Sequence, residues 1–115
     1  MRVEEYITAD GRNPFADWFD RLDPQAAAKV NTYLTRLAMG NTSRLKPVKG
    51  ALKEVRIDWG PGYRIYAGQD GKALIILLGG GTKKRQRQDL DTAAALWEEY
   101  KNRKKEERDG DHTQI

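Results

Sequence analysis

At 115 residues, with 38% apolar and 33% charged side chains, the chain is sized for one domain with a modest core. It has no cysteine, which excludes disulfide staples and Cys-based zinc sites, and its one histidine, His112, leaves metal or triad chemistry poorly supplied. The net charge of +4 favours an anionic partner, and the longest apolar run, Ala73 to Leu78, falls far short of the roughly 20 residues that span a bilayer.

The opening Met1-Arg2-Val3-Glu4-Glu5 lacks the basic-then-apolar order of a signal peptide, so a soluble cytoplasmic protein is expected. Arg2 to Thr8 reads as an edge or second strand. Asn13-Pro14 and Asp23-Pro24 each pair a capping side chain with proline at the first helical position. Phe15, Trp18, Phe19 and Leu22 form the apolar stripe of a short helix. A longer helix follows, with Val30, Tyr33, Leu34 and Leu37 on its buried side, ended by Gly40-Asn41. The two make a hairpin that covers one face of a sheet.

Asn41 to Ala51 reads as a basic loop interrupted by Pro47 and Gly50. Leu52 to Leu78 reads as three consecutive strands, joined by turns at Gly60-Pro61-Gly62 and Gln69-Asp70-Gly71. The first strand alternates. Leu52, Glu54, Arg56 and Asp58 fall on one side, and Lys53, Val55, Ile57 and Trp59 on the other. Parity likewise places Tyr63 and Ile65 on one face, and Arg64 and Tyr66 on the other. The last strand is apolar throughout and is expected to be covered on both faces. Gly79-Gly80-Gly81 is read as breaking it, with Thr82 as the next cap. Lys83 to Arg87 is a dense basic cluster, and a helix bearing Leu90, Ala93, Trp97 and Tyr100 runs to about Lys104. Residues 1–108 form one domain, and the polar stretch 109–115 is expected to be a disordered tail. The fold class is α+β, in the order β-α-α-β-β-β-α, with a helix hairpin and a C-terminal helix on a four-stranded, mostly antiparallel sheet.

The charge is unevenly spread. Residues 44–88 hold eleven basic and three acidic side chains, a net of +8, while the segments before and after carry −1 and −3. A positive field concentrated on the sheet and its flanks favours nucleic acid or ribonucleoprotein over a merely solubilising surface. Asp58 and Asp70 sit at turns, where turn polarity explains them.

What remains is phosphate chemistry without metal or histidine. RNA cleavage through its own 2′-hydroxyl needs no enzyme nucleophile. It needs alignment, stabilisation of charge on the phosphorane, and proton transfer. Arginine matches phosphate bidentately, lysine among like charges exchanges protons more readily, and tyrosine stacks on bases or donates a proton. Arg56, Arg64, Lys83, Lys84, Tyr63 and Tyr66 offer this set.

Leu52-Lys53-Glu54-Val55-Arg56-Ile57, Gly60-Pro61-Gly62-Tyr63-Arg64-Ile65-Tyr66 and Leu77-Leu78-Gly79-Gly80-Gly81-Thr82-Lys83, with Gln86 and Asp89, resemble the addiction-module killer proteins of the RelE/ParE superfamily, in its HigB-like, phage Gp49-like branch. The resemblance covers nearly the whole chain. It implies a small toxin made beside a cognate antitoxin, expected to be a small helix-turn-helix protein, and acting on ribosome-bound mRNA without a cofactor. Arg64 falls on the family's catalytic arginine. Arg56, with Lys53 as a second match, falls on basic residues of the preceding strand, and Lys83 or Lys84 on a phosphate-binding position after the final strand. Lys46, Lys49, Lys53, Tyr63, Tyr66, Lys84, Arg85 and Arg87 are the expected RNA-binding residues. The mRNA cutters often carry a late tyrosine or histidine, and Arg87-Gln88-Asp89-Leu90 holds neither. Two other readings stay open: a toxin that binds gyrase without being a nuclease, and an inactive relic that only binds its antitoxin.

Overall fold

The computed structural model describes residues 1–113, with side chains through Arg108. In chain order it runs β1 (Arg2–Glu5), α1 (Pro14–Phe19), α2 (Pro24–Ala38), β2 (Leu45–Lys49), β3 (Leu52–Ile57), β4 (Tyr63–Asp70), β5 (Leu74–Thr82), a 3-10 turn (Lys83–Arg85) and α3 (Gln86–Thr113). The class is α+β. The sheet has five strands among the described residues, in the order β1-β5-β4-β3-β2, with β1 parallel to β5 and the rest antiparallel.

Both early helices start as the capping signals predict. Asn13 Oδ1 accepts from the Ala16 N–H at 3.0 Å and Asp23 Oδ1 from the Ala26 N–H at 2.9 Å, each ahead of a proline at the first helical position. Gly40, at φ 96°, closes α2, with its own N–H on the Leu37 carbonyl and the Asn41 N–H on the Arg36 carbonyl.

The sheet separates two cores. The α1–α2 hairpin covers one face, where Phe15, Trp18, Val30 and Leu37 meet Val55, Ile57, Tyr63, Ile65, Ile75 and Leu77. The other face is covered by α3, where Ala93 and Trp97 meet Leu52, Tyr66, Ile76 and Leu78. The Tyr6 and Tyr100 hydroxyls donate to Glu99 and Asp70, both at 2.5 Å, and Lys104 pairs with Asp70 at 2.5 Å, fixing the middle of α3 to the sheet.

Three expectations are corrected. The four-stranded sheet gains a fifth strand, β2, from a stretch read as loop. It is tolerated there because an edge strand need not use the N–H that Pro47 lacks, and the register shifts between Pro47 and Lys49. The triglycine lies inside β5 and does not end it. Gly80 and Gly81 are where the Trp18 ring and the Asp89 carboxylate lie so close that a Cβ would overlap them, and Gly79 pairs with Tyr66 beside a register shift that leaves Leu78 as the extra residue. Finally, α3 continues past Lys104 to Thr113, through a Lys-Lys-Glu-Glu-Arg run of good helix formers. The rest of the 109–115 stretch, Gln114 and Ile115, lies outside the described residues. Among the described residues no helix is long and apolar enough to cross a membrane.

Candidate functional site

The site lies on the α3 face of the sheet, at the end where α3 begins. Strand pairing sets its rows. Lys46, Glu54 and Tyr66 occupy successive strands in register, and Arg56, Arg64 and Gly81 form the next row. Residues paired across antiparallel strands share a face, with Cβ atoms about 5 Å apart. Two arginines therefore stand side by side, an arrangement that repels unless something neutralises it.

Glu54 supplies the countercharge. Its carboxylate is buried, with only 3% of the side chain exposed. Oε1 accepts from Arg56 Nε at 2.7 Å and stands 3.8 Å from Arg64 Nη1. That carboxylate raises the Arg56 pKa above its ordinary value, first through the hydrogen bond and then through its charge. The two guanidiniums differ in access. Arg56 is 55% exposed in its side chain and Arg64 9%. Among the described residues, Arg64 Nε and Glu54 Oε2 are both buried with no hydrogen-bond partner. An unsatisfied buried donor on a fixed cation is a costly feature for stability alone.

Asp89 borders the same row from the first turn of α3, its Oδ2 pressed against the Gly81 backbone. Burial pushes its carboxyl pKa up, and the charge of Arg85 only partly opposes that. Burial likewise pushes the Tyr66 hydroxyl up to about 12, with the Glu54 and Asp89 charges adding to the shift. This hydroxyl points at the Gln86 carbonyl, 3.4 Å away.

Of the residues selected from sequence, the structure brings Arg56, Arg64 and Lys46 onto one patch of sheet. Lys83 follows closely. Its N–H donates to the Gly62 carbonyl at 3.1 Å, tying the 3-10 turn to the β3–β4 turn. Lys84 and Arg85 are exposed on that same turn, and Arg87 is exposed at the start of α3. Lys49 lies at the far end of β3's partner, opposite Leu52, roughly 14 Å of strand away from the Arg56 row. Lys53 pairs with Ala67, on the hairpin face, and is not part of the patch.

Both tyrosines are corrected as base-stacking residues. Tyr63 is buried on the hairpin face against Trp18 and Trp59, with ring centroids 6.3 Å away in each case. Tyr66 is 1% exposed beneath α3. Sequence reasoning missed Glu54 and Asp89 as members of the site. The alternation of β3 already placed Glu54 on the Arg56 face, and a carboxylate within a run of net +8 was the available signal.

No family model matches the chain. A protein of Haemophilus influenzae described as uncharacterized is 40% identical over 86 residues, covering 74% of this chain and 87% of that protein.

Proposed function

We propose that this chain, which belongs to one family with the Haemophilus influenzae protein, is the toxin of a type II toxin–antitoxin pair, a cytoplasmic endoribonuclease that cuts mRNA on the ribosome. The observation that carries this reading is Arg64, a guanidinium on the sheet floor whose buried Nε has no partner among the described residues, set opposite Arg56 on the face that also bears Lys46. The resemblance to HigB-like members of the RelE/ParE superfamily supports the same conclusion.

In this mechanism the RNA 2′-hydroxyl attacks the adjacent phosphorus and the 5′-oxygen leaves, giving a cyclic phosphate and a free 5′-hydroxyl. Arg64 binds the non-bridging oxygens through its fork and stabilises the charge that grows on them. Glu54 acts through the arginines, holding two like charges at one phosphate. Asp89, with its carboxyl pushed up by burial beside Gly81, accepts the 2′-hydroxyl proton. Lys83 gives a proton to the leaving 5′-oxygen, completing the 5′-hydroxyl. A small helix-turn-helix antitoxin silences the protein by laying acidic side chains over the same patch.

Tight induction of the wild type tests this. Growth arrests with wild type and continues with Arg64→Ala; equal arrest by both, or arrest by neither, contradicts the proposal. The burial of Tyr63 and Tyr66, which leaves the arginines without either ring for base stacking, favours one second reading, a gyrase-binding toxin. That reading requires a DNA-damage response with mRNA left intact.

A further inference from the structure

We infer that the cleft between the end of α2 and the start of β2, on the hairpin face of the sheet, is a second, separate binding site for a nucleotide phosphate. Its volume is about 250 Å³. Leu45 and Val55 line its base, and Tyr33 forms an aromatic wall. Arg36 and Arg44 are also among its lining residues, their guanidinium carbons 5.6 and 5.7 Å from the same Tyr33 ring centroid.

The charges around this cleft are one-sided. Some surface cations face carboxylates, as Arg12 does Asp10 and Lys101 does Glu98. Among the described residues neither Arg36 nor Arg44 has a carboxylate within ion-pair distance, and the cleft is lined by no acidic side chain. The carbonyls at the end of α2 do not serve in their place. Those of Arg36 and Leu37 already accept from the Asn41 and Gly40 N–H groups, at 2.9 Å each. Both guanidiniums line the one cleft beside the Tyr33 ring, and a phosphate offers two or more oxygens to such donors.

The cleft is also held in shape. The closing turn at Gly40 fixes Arg36. Asn41 Oδ1 then accepts from both the N–H and the hydroxyl of Ser43, at 3.1 and 2.7 Å, which sets the path of the chain into Arg44. Asn41 and Ser43 line the cleft with polar groups. At roughly 30 Å³ per water the volume exceeds a bare phosphate, and the Tyr33–Leu45–Val55 lining suits the organic part of a nucleotide.

Two sources share this chemistry, a free mononucleotide and the backbone of RNA. The inference does not rest on the nuclease reading, because the cleft and the Arg56–Arg64 patch are on opposite faces. The test uses the full-length ¹⁵N-labelled chain, titrated with AMP and with an uncleavable 2′-O-methyl uridine hexanucleotide. Saturable amide shifts at residues 33–45 are expected, whether or not the Arg56–Arg64 patch on the other face also responds to the hexanucleotide. A response to AMP assigns a mononucleotide site, and a response to the hexanucleotide alone assigns an RNA-backbone site. Arg36→Gln and Arg44→Gln each weaken binding about tenfold, while Lys29→Gln, on the same face but outside the cleft, leaves it unchanged. Spectra of the variants away from the cleft confirm that they are folded. No saturable shift at residues 33–45 with either probe, or shifts there that survive both arginine substitutions, overturns the inference.

Discussion

Arg56 and Arg64 face each other directly across β3 and β4, on the same side of the sheet. Like charges so placed destabilise a sheet, and Glu54 is the group that makes the pair tolerable. Removing one member of a buried charged set costs more than removing the set, because it strands the remaining charge. Glu54→Leu is therefore expected to lower unfolding free energy by roughly 3 kcal/mol in urea. Adding Arg64→Met to it recovers part of that loss. A Glu54→Leu protein as stable as wild type would show that the carboxylate does not hold the arginines.

The glycines of β4 and β5 carry a second prediction. A methyl at Gly68 overlaps the Trp97 ring, and one at Gly80 overlaps the Trp18 ring. Alanine in place of glycine gains about 0.4–1 kcal/mol from the unfolded chain. Overpacking against a fixed indole costs about 1–3 kcal/mol, so the clash wins. Gly68→Ala and Gly80→Ala both lower Tm. Gly81→Ala also lowers it, since its methyl overlaps Asp89, but there the obstacle is one removable carboxylate. Gly81→Ala with Asp89→Ala is expected to return to wild-type Tm or above.

Asp89 and Asp70 predict opposite pH behaviour. The Asp89 pKa is raised, by burial first, so the folded state binds a proton that the unfolded chain has already released. Its ionisation therefore costs stability as pH rises through the carboxylate range, above about 3.9. Asp89→Asn removes that cost and is more stable than wild type at pH 7, with the gain vanishing in acid. The Asp70 pKa is lowered, by its hydrogen bonds from Lys104 and then Tyr100. Its stabilisation is present above the unfolded carboxylate pKa and is lost as pH falls through the lower folded value. Asp70→Asn is less stable at pH 7, and the deficit closes in acid. Urea titrations between pH 3 and 7 measure both differences, and parallel pH profiles for the two variants would contradict the assignment.

Asp89→Asn also separates stability from activity. If this carboxylate accepts the proton, the variant cuts RNA at least about a hundredfold more slowly while folding more tightly. Single-turnover cleavage and Tm on the same preparation decide it. Full activity in the more stable variant would remove Asp89 from the chemistry.

Much of this arrangement is legible in residues of strong local meaning. Asn13-Pro14 and Asp23-Pro24 mark helix starts because capping is a local hydrogen bond. The alternation from Leu52 to Ile57 assigns faces because a strand has a period of two. Pro47 misled, because whether proline ends a strand depends on which side its missing N–H faces, and that is decided by being at a sheet edge. Gly79-Gly80-Gly81 misled in the same way. Its glycines answer to Trp18 and Asp89, which are distant in sequence. Tyr63 and Tyr66 looked like contact residues until the sheet was covered on both faces, and Glu54 looked like one more alternating charge until Arg64 lay beside it.

The most direct test is primer extension on purified ribosome–mRNA complexes incubated with the wild-type protein and with Arg64→Ala. New 5′ ends within the A-site codon are expected, only when ribosomes are present and only with wild type. Intact mRNA at equal ratios of protein to ribosome, or the same ends with Arg64→Ala, would contradict the central claim that Arg64 acts on the scissile phosphate.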